Sequence, residues 1–326
     1  MKAVVLGSDA AGKPVPVLED LPTPQPAARE VRVRVHAAGM NRADLSLKVG
    51  HSPAMAGTGS ERVLGLEMAG EVEACGREVT RWKPGDRVMG MALGAHAQRV
   101  CLDERLLMPV PDGMDWSHAA TLPVALMTAH DALVTHGGLR PGSTVLVQAA
   151  SAAVGIAAVQ IAALLGAGLV IGTSTTQAKR ERLQSLGLKH AVDSDPATLP
   201  ALVRDLTGGR GVDIVLDHLG GGALASNMAA VAIGGRIIGI GRMTGMKGEI
   251  DLDLLSLKRI ALIGVTFRTR SCDEVDALIA RMRTDLWPLL DRIRMPLDAT
   301  FALADVAQAH ERMRAKQQFG KVVLQP

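Results

Sequence analysis

From Pro141 to Ala178 the sequence contains no lysine, arginine, aspartate or glutamate, and no other feature restricts the fold as much. An uncharged stretch of this length is long enough to cross a bilayer. It is interrupted, however, by glycines at 142, 155, 166, 168 and 172 and by glutamines at 148 and 160, and its apolar periodicity changes twice. We therefore interpret it as a buried strand, a helix and a second strand, and not as a membrane span.

From residue 126 onwards, apolar runs alternate with segments of helical length and spacing. The runs Val145–Val147 and Ile214–Leu216 are apolar at every position, which is typical of parallel strands covered by helices on both faces. The predicted strands are Thr144–Ala149, Leu169–Thr173, Ala191–Asp193, Val212–Asp217, Arg236–Ile240 and Ala261–Phe267. The predicted helices between them are Val154–Leu165, Thr176–Leu186, Leu199–Leu206 and Ala223–Ile233. This alternation predicts an α/β fold with a doubly wound, six-stranded parallel sheet of the Rossmann type, which binds dinucleotides.

The part of the chain before residue 126 has a different pattern, rich in valine, proline and glycine. Val31–His36 alternates apolar with polar residues, as a half-buried strand does, whereas the prolines of Pro22–Pro26 exclude a helix. Glu71–Gly76 and Gly85–Gly90 read as further strands that end in glycine turns. Two amphipathic helices and an extended end are predicted near the C-terminus, at Glu274–Arg283, Ala304–Lys316 and Gly320–Leu324. The N-terminal part is therefore predicted to be mainly β.

Composition and charge argue against several classes of function. Lys plus Arg number 36 and Asp plus Glu 33, which leaves a net charge of +3, and the basic residues are scattered. With aromatic residues at only 2%, a groove that stacks nucleic-acid bases is not expected. Cys75, Cys101 and Cys272 form no CxxC pair, so we expect reduced thiols and no zinc knuckle. The N-terminus does not read as a signal peptide, and we expect a cytoplasmic protein without membrane or nucleic-acid partners.

The strongest chemical signal is the turn that follows the first Rossmann strand. Small residues follow Val147 as far as Gly155, where a helix is under way. Backbone N–H groups at such a helix N-terminus, together with the helix dipole, favour a pyrophosphate. Of the GxGxxG glycines only Gly155 remains, with Ala149 and Ala152 in the other slots, and a tight alanine-rich turn also occurs in other βα units. The predicted dinucleotide contacts here are Ser151, Ala152, Ala153, Val154 and Gly155.

The end of the second Rossmann strand indicates which cofactor is used. NAD-dependent enzymes usually have an acidic residue there that accepts hydrogen bonds from the ribose. Between Ile171 and Arg180 this chain has no Asp or Glu, but it has hydroxyl groups, a lysine and an arginine. These groups suit the 2′-phosphate of NADPH, although an ordinary N-cap followed by a solvated basic helix face is an alternative. We predict NADPH, with Gly172, Ser174, Thr175 and Lys179 at the adenosine end.

Further motifs identify a family. Ala38–Asp44, Leu64–Gly70 and Lys83–Val88 occur in this order, and the alanine-rich turn and Gly320–Val323 follow. Together they resemble the medium-chain dehydrogenase/reductase superfamily, specifically its zinc-free quinone oxidoreductase branch, which includes zeta-crystallin. The resemblance covers essentially the whole chain.

This resemblance implies the domain organisation. It implies a GroES-like, β-rich catalytic domain built from residues 1–124 and 267–326, with a Rossmann NADP-binding domain at 125–266 inserted in it. It also implies a cytoplasmic homodimer, which in this branch often forms when the last Rossmann strands pair edge to edge. Here that strand is Ile260–Phe267.

Departures from the zinc-dependent members determine the expected chemistry. Those members have a cysteine in the first motif and a histidine before the glutamate of the second. This chain has Asn41 and Leu66 in those regions, and none of its nine histidines forms an HxH or HxxxH pair. Because catalytic zinc needs three protein ligands, we predict no metal. Without a Lewis acid, the substrate has to accept hydride unaided or through hydrogen bonds alone, which suits quinones and α,β-unsaturated carbonyls.

The resemblance also implies catalytic positions. In this branch an asparagine matching Asn41 lies beside the nicotinamide and the substrate, and a residue matching Thr128 lines the cofactor site. Relatives commonly have a tyrosine where His51 stands, and since this chain has no tyrosine, we hypothesise that His51 donates the proton or hydrogen bond. His96 also stands near a usual aromatic position and carries less weight. A turn-capping role for Asn41 and a solvent-exposed loop position for His51 remain alternatives, and Asp44 is interpreted as a turn brace.

Family positions around the cofactor also map onto the ends of the later strands and onto the C-terminus. Gly241 lets the backbone approach the nicotinamide ribose, and Phe267 and Arg268 are expected to close over the nicotinamide end. Lys321 is expected to reach the cofactor, with surface solvation as the alternative. The complete set implied here is His218, Ile240, Gly241, Val265, Phe267, Arg268 and Lys321.

The leading interpretation is a zinc-independent, NADPH-dependent oxidoreductase that transfers hydride to a quinone. An NADPH-dependent enone or enoyl reductase, which acts on a carbon–carbon double bond, shares every motif described above. A non-catalytic NADPH-binding protein is the third interpretation. The sequence does not name the physiological acceptor.

Overall fold

The computed structural model describes residues 1–46 and 55–326, which divide into two compact units. The first unit comprises Met1–Val124, Phe267–Arg281 and Met295–Pro326, and the second comprises Ala125–Thr266 and Met282–Arg294. The sequence motifs predict that all of residues 267–326 belong to one domain, whereas 282–294 lie in the second unit. Hydrogen bonds explain it, because Asp285 pairs with His130 at 2.7 Å and the Gln160 amide bonds the backbone of Arg294.

The first unit begins with a series of short strands, as its alternating apolar and polar residues predict. They are β1 (Lys2–Ser8), β2 (Pro14–Asp20), β3 (Glu30–Gly39), β4 (Glu67–Cys75), β5 (Arg87–Met91), β6 (Arg99–Asp103) and β7 (Leu107–Pro109). Two short helices follow, α1 (Trp116–Ala119) and α2 (Pro123–His130). β1 and β2 form an antiparallel pair, and β3 pairs antiparallel with β4 over most of its length.

The second unit is built on a parallel sheet of six strands. These are β8 (Thr144–Val147), β9 (Leu169–Thr173), β10 (His190–Val192), β11 (Val212–Asp217), β12 (Val231–Gly239) and β13 (Ala261–Gly264). Their spatial order is β10-β9-β8-β11-β12-β13, and every neighbouring pair is parallel. This is the strand order of a dinucleotide-binding Rossmann sheet, so the predicted fold class is confirmed.

Helices cover this sheet and close its core. They are α3 (Ala153–Leu164), α4 (Gln177–Ser185), α5 (Leu199–Leu206), α6 (Leu224–Ala230) and α7 (Leu252–Lys258). Leu146, Ile171 and Ile237 of the strands pack in one buried cluster with Leu199 and Val203 of α5. The uncharged stretch therefore forms β8, α3 and β9, as the sequence predicts. In the described ranges 1–46 and 55–326, no helix has the length and apolarity that crossing a membrane requires.

From Phe267 onwards the chain belongs to the first unit, except for Met282–Arg294. α8 (Cys272–Leu286) and the short 3₁₀ helix Trp287–Arg292 precede β14 (Leu297–Ala302), α9 (Val306–Arg314) and β15 (Lys321–Gln325). The strand order of the large sheet is β14-β15-β3-β4-β5-β7, and β6 pairs with β3. A strand from the N-terminal part of the chain and the last strand therefore lie in one sheet, with β15 directly beside β3.

Several predicted boundaries in the second unit are wrong. The predicted helix Ala223–Ile233 is the shorter α6, and β12 already begins at Val231, where β-branched residues favour a strand. The first strand ends at Val147 and not at Ala149, whose φ of +49° is incompatible with a strand. The last strand ends at Gly264, so residues 265–267 of the predicted edge strand lie outside it.

Candidate functional site

The C-terminal ends of the parallel strands in the second unit lie at one edge of the sheet. β8 and β11 are neighbours there, although the chain leaves β8 towards β9 and comes back only later. Such a reversal of strand order opens a crevice in which α/β sheets of this type bind their ligands. The sequence-predicted cofactor residues of this unit stand at the ends of β8, β9, β11, β12 and β13 or in the segments that follow them.

The turn after β8 is held in a conformation that exposes the start of α3. Ala149 adopts a left-handed backbone with φ +49°, and its N–H donates to the Thr173 hydroxyl at 3.0 Å. A methyl group on Gly155 would lie 2.7 Å from the Ala149 carbonyl oxygen, so only glycine lets α3 begin this close to the turn. Ala152 is the extended N-cap residue and Ala153 starts the helix. The first N–H groups of α3 therefore have no partner within the helix.

The end of β9 lies next to this turn. The hydroxyls of Ser151 and Ser174 are 3.1 Å apart, and a methyl group on Gly172 would lie 2.8 Å from the side chain of Ala150. Thr175 is exposed and Lys179 is half-buried in the first turn of α4. The structure thus brings together Ser174 and Gly172, predicted at the adenosine end, with Ser151, predicted in the turn after the first strand.

An ion pair that the sequence analysis missed borders this site. Arg180 donates to the Ser174 carbonyl at 2.8 Å and to the Asp193 carboxylate at 2.7 Å. Asp193 directly follows β10, which lies beside β9 in the sheet. The strand order places this carboxylate near the end of β9, whereas a search of the β9 end in sequence finds no acid. The spacing of residues in the sequence does not indicate that Asp193 lies near the end of β9.

His218 stands at the end of β11, with its ring fixed on one side only. Its Nδ1 lies 2.8 Å from the Gln148 carbonyl oxygen, so Nδ1 carries the proton and Nε2 is left as an acceptor. Within the described part of the chain, Nε2 has no hydrogen-bond partner. Burial lowers the pKa of His218 to about 4, so the imidazole is neutral near pH 7. A buried acceptor of this kind is suited to a ligand hydroxyl or amide.

Gly241 is required beside His218. A methyl group at position 241 would lie 2.3 Å from the His218 carbonyl oxygen. The N–H groups of Ile240 and Gly241 both donate to the Asp217 carbonyl, at 2.8 and 3.1 Å. The segment after β13 lies along the same edge, because the Val265 N–H donates to the Gly239 carbonyl oxygen at 3.1 Å. The structure therefore assembles His218, Ile240, Gly241 and Val265 along the same sheet edge.

The remaining predicted positions are more scattered. Thr128 is half-buried on α2. Phe267, half-buried, and Arg268, exposed, belong to the first unit, and the Arg270 guanidinium lies 5.1 Å from the Phe267 ring centre. His51 lies outside the described residues.

Asn41 of the first unit belongs to a buried network of charged and polar groups. The Lys321 ammonium donates to Asn41 Oδ1 at 2.6 Å, to the Met40 carbonyl at 3.4 Å and to Glu67 Oε1. Asn41 Nδ2 donates to the same Glu67 oxygen at 2.8 Å, and Val124 N donates to the other Glu67 oxygen at 2.8 Å. The side chains of Lys321 and Glu67 are only 1% and 0% exposed.

The sheet explains why residues so far apart in sequence meet here. β15 lies beside β3, and β3 lies beside β4, so the start of β15 (Lys321), the end of β3 (Gly39) and the start of β4 (Glu67) are adjacent. A methyl group on Gly39 would lie 2.6 Å from Glu67 Oε1, so glycine is needed for the carboxylate to reach Asn41. Glu67 was not predicted from the sequence as a site residue. The available signal was an acidic residue at the start of an otherwise apolar segment.

Two titratable groups adjoin this network. The Asp44 carboxylate accepts the backbone N–H of Asn41 at 2.6 Å, which supports its interpretation as a turn brace. Burial raises the pKa of Asp44 to about 7, although the Asn41 N–H acts in the opposite direction. His96 is fully buried, and burial lowers its pKa to about 3. His96 is thus a neutral imidazole near pH 7.

The residues of the first unit do not form a metal-binding set where the structure describes them. Over residues 1–46 and 55–326 there is no group of three or more His, Cys, Asp or Glu side chains that could hold a metal ion. Of the described residues, Glu67, Asp44 and His96 adjoin Asn41 without forming such a group, and Glu67 is already paired with Lys321. This donor set does not fit catalytic zinc, which takes three protein ligands.

Comparison with family models assigns the two parts of the chain separately. Residues 27–112 match the alcohol dehydrogenase GroES-like domain. Residues 153–283 match the family model described as zinc-binding dehydrogenase. The matches fall in the β-rich first unit and mainly in the parallel sheet of the second, as the sequence motifs predict.

Individual relatives span the whole chain. A quinone oxidoreductase of Pseudomonas aeruginosa is 34% identical over 310 residues, which is 93% of each chain. A solved mycobacterial structure complexed with NADPH covers 100% of both chains, with a TM-score of 0.84 and 29% identity. The CurK enoyl reductase structure covers 99% of this chain and 98% of its own, with a TM-score of 0.80 and 25% identity.

Proposed function

Because the chain belongs to the medium-chain dehydrogenase/reductase superfamily, in its quinone oxidoreductase branch, we propose that it is an NADPH-dependent quinone reductase that works without zinc. The match to the Pseudomonas aeruginosa quinone oxidoreductase along nearly the full length of both proteins carries this proposal. The chain is an oxidoreductase of this superfamily with a Rossmann sheet for a nicotinamide dinucleotide. Three features are proposed: the cofactor carries a 2′-phosphate, the acceptor is a quinone, and the reaction does not need zinc.

The residues of the second unit fit a dinucleotide. The N–H groups at the start of α3, from Ala153 to Gly155, would hold the pyrophosphate. Gly172 and Gly241 each stand where a side chain would clash with neighbouring protein atoms, so glycine lets these segments pack closely at the strand ends where we propose the dinucleotide binds. The unpartnered Nε2 of His218 would accept a hydrogen bond from the nicotinamide end. When bound, the reduced nicotinamide supplies the hydride.

NADPH is favoured over NADH by the groups that follow β9. Ser174 and Thr175 offer hydroxyls, and Lys179 and Arg180 offer positive charge. A 2′-phosphate accepts hydrogen bonds from such donors, whereas the ribose of NAD is usually held by an acid at this strand end. The mycobacterial neighbour whose structure contains NADPH supports this choice.

In the first unit, Asn41 is the group proposed to act on the substrate. Asn41 is a half-buried residue, whereas its neighbours Glu67 and Lys321 are buried. A carbonyl oxygen that becomes negatively charged during reduction is stabilised by a fixed N–H donor. His51 is proposed to supply the proton, and Thr128 to line the cofactor site. Quinones suit this arrangement because their oxygens accept both the hydrogen bond and the developing charge.

A second candidate is an enoyl or enone reductase, which the similarity to the CurK enoyl reductase favours. Purified protein should be assayed for oxidation of NADPH and of NADH with 9,10-phenanthrenequinone, a simple enone and an enoyl thioester. Faster turnover of the quinone with NADPH supports the proposal. Turnover of only the enone or thioester would replace it by the second candidate, and tight NADPH binding without any turnover would indicate a binding protein. Metal analysis of the same sample tests zinc, since a stoichiometric zinc linked to activity contradicts the proposal.

We further propose a cytoplasmic homodimer that pairs through β13. This strand is the last of its sheet and is hydrogen-bonded to β12 on one side. Leu262 on β13 is 44% exposed, and Leu257 on the preceding α7 is 71% exposed. An open strand edge flanked by exposed apolar side chains is suited to pairing with a second copy.

A further inference from the structure

The Lys321 ammonium in the first unit has as many acceptors as it has protons. It donates to Asn41 Oδ1, to Glu67 Oε1 and to the Met40 carbonyl oxygen. A lysine ammonium carries three donors and no acceptor. Its side chain is 1% exposed, so these contacts account for its hydrogen-bonding capacity without solvent.

This arrangement fixes the direction of the Asn41 amide. An ammonium cannot accept a hydrogen bond from an NH₂ group, so the oxygen of the amide has to face Lys321. Nδ2 then faces Glu67 Oε1 at 2.8 Å, and a carboxylate can only accept. The cation and the anion therefore enforce the same orientation, and a flipped amide would place a donor against a donor and an acceptor against an acceptor.

One N–H of the Asn41 amide makes no short hydrogen bond to the described residues. Nδ2 has two protons, of which one points to Glu67. Among residues 1–46 and 55–326, the other has only a long contact of 3.5 Å with the Gly39 carbonyl, beyond the usual range of a good hydrogen bond. Donation from Lys321 to the amide oxygen also polarises the amide, which strengthens its N–H groups as donors.

We propose that Lys321 and Glu67 are positioning residues that lock Asn41 as a hydrogen-bond donor, so that the site takes a substrate presenting a carbonyl oxygen. This inference rests on the proposed reductase function, because it assigns Asn41 to the substrate. It gives Lys321 a role within its own unit, where the family resemblance predicts contact with the cofactor. An alcohol or amine substrate, which would offer a donor at this point, is disfavoured.

A double-mutant cycle tests the coupling. Lys321→Met should lower kcat/KM for the quinone roughly 10- to 100-fold, since small displacements of a catalytic group have effects of this size. In an Asn41→Ala background the same substitution should change kcat/KM by about twofold or less, because the group that it positions is gone. The Kd for NADPH should stay within about twofold in both backgrounds. A large rise in the Kd for NADPH with kcat unchanged would overturn the proposal and make Lys321 a cofactor ligand.

Two further variants separate positioning from folding. Lys258→Met is the matched control, because Lys258 also donates to three carbonyl oxygens, those of Met228, Ala229 and Val231 in the second unit. It should lower stability and leave kcat/KM for the quinone unchanged. If Lys321→Met does not fold, the neutral pair Glu67→Gln with Lys321→Met removes both buried charges together. That double variant should fold and still show the loss of kcat/KM, whereas normal activity in it would contradict the proposal.

The chain allows a test that does not depend on turnover. It contains two asparagines, Asn41 and Asn227, so ¹⁵N label in asparagine side chains gives two NH₂ groups in an NMR spectrum. Lys321→Met should shift both Asn41 protons and leave those of Asn227 in place. Binding of a quinone with NADP⁺ should shift one Asn41 proton of the wild-type protein. Unchanged Asn41 signals in Lys321→Met would refute the positioning role, even if the quinone assay had already refuted the reductase function.

Discussion

Arg180 holds the carboxylate of Asp193 at 2.7 Å while it also donates to the backbone carbonyl of Ser174 at 2.8 Å. A cation and an anion therefore share the position at which we propose the 2′-phosphate of NADPH to bind. Arg180 is 17% exposed and Asp193 is 54% exposed. The carboxylate is thus the group that water and a ligand reach first.

Asp193→Asn should strengthen NADPH binding, because it removes a like charge from the phosphate and releases Arg180 to contact it. We expect the Kd for NADPH to fall about threefold at low salt, less than 1.4 kcal/mol, which corresponds to tenfold. The Kd for NADH, which has no 2′-phosphate, should not change. Fluorescence titration of both cofactors gives these values.

Asp195→Asn is the matched control for this substitution. It removes the same charge two residues away, where the carboxylate accepts from Ala197 N and the Thr198 hydroxyl and not from Arg180. It should leave both Kd values unchanged. If Asp193→Asn lowered the Kd for NADH as much as the Kd for NADPH, or changed neither Kd, the 2′-phosphate would not lie at Arg180.

The strands of the second unit were largely predictable because each one is marked by its own run of apolar residues. Val212–Asp217 and Leu169–Thr173 have the predicted bounds, since buried parallel strands are continuous apolar runs. β12 was mistaken at its start because Val231–Ile233 follows a helix without a break and continues its apolar pattern. Helix and strand cannot be distinguished by periodicity over so few residues.

The contacts of the candidate site were predictable only in part. Gly155 and Gly241 could be found because close approach of two backbones requires glycine. The pairing of Lys321 with Glu67 and that of Arg180 with Asp193 could not, because each depends on which strands are neighbours in a sheet. Strand order is set by the packing of the whole chain and is absent from any local pattern. The fold was therefore predictable from the sequence, whereas the charged partners required the structure.

Gly241→Ala should damage the cofactor edge of the sheet. Its methyl group would lie 2.3 Å from the His218 carbonyl oxygen and 3.0 Å from the His218 Cα, so backbone has to move. We expect a loss of about 1–3 kcal/mol in the free energy of unfolding, the usual cost of overpacking, and weaker binding of NADPH. Urea unfolding and cofactor titration measure the two effects.

Gly239→Ala provides the comparison for Gly241→Ala. A methyl group there would meet only the Ile263 carbonyl oxygen, at an ordinary 3.7 Å. Its effect on unfolding should be less than about 1 kcal/mol. Equal destabilisation by the two substitutions would show that the His218 contact is not what requires glycine at 241.

Leu262→Lys should separate the proposed homodimer. Leu262 lies on the edge strand β13 and is 44% exposed, and charged side chains on an edge oppose pairing with another strand. The wild-type protein should sediment as a dimer and the variant as a monomer. Leu202→Lys, on α5 of the same unit and 36% exposed, introduces the same charge away from the edge and should remain dimeric. A wild-type monomer, or a dimeric Leu262→Lys protein, would contradict pairing through β13.

Asp44 should make the protein less stable as the pH rises towards neutrality. Burial raises its pKa in the folded protein from 3.8 to about 7, so between these values the folded state binds a proton that the unfolded state has released. Unfolding then releases a proton, and the free energy of unfolding falls with increasing pH across this window and is constant outside it. At about 1.4 kcal/mol per pKa unit, the full contribution is about 4 kcal/mol.

Asp44→Asn removes the titration and keeps an oxygen for the Asn41 N–H, so the wild type should lose stability relative to this variant from pH 4 to 7 in urea unfolding. Parallel pH profiles of the two proteins would mean that Asp44 is ionised in the folded state throughout.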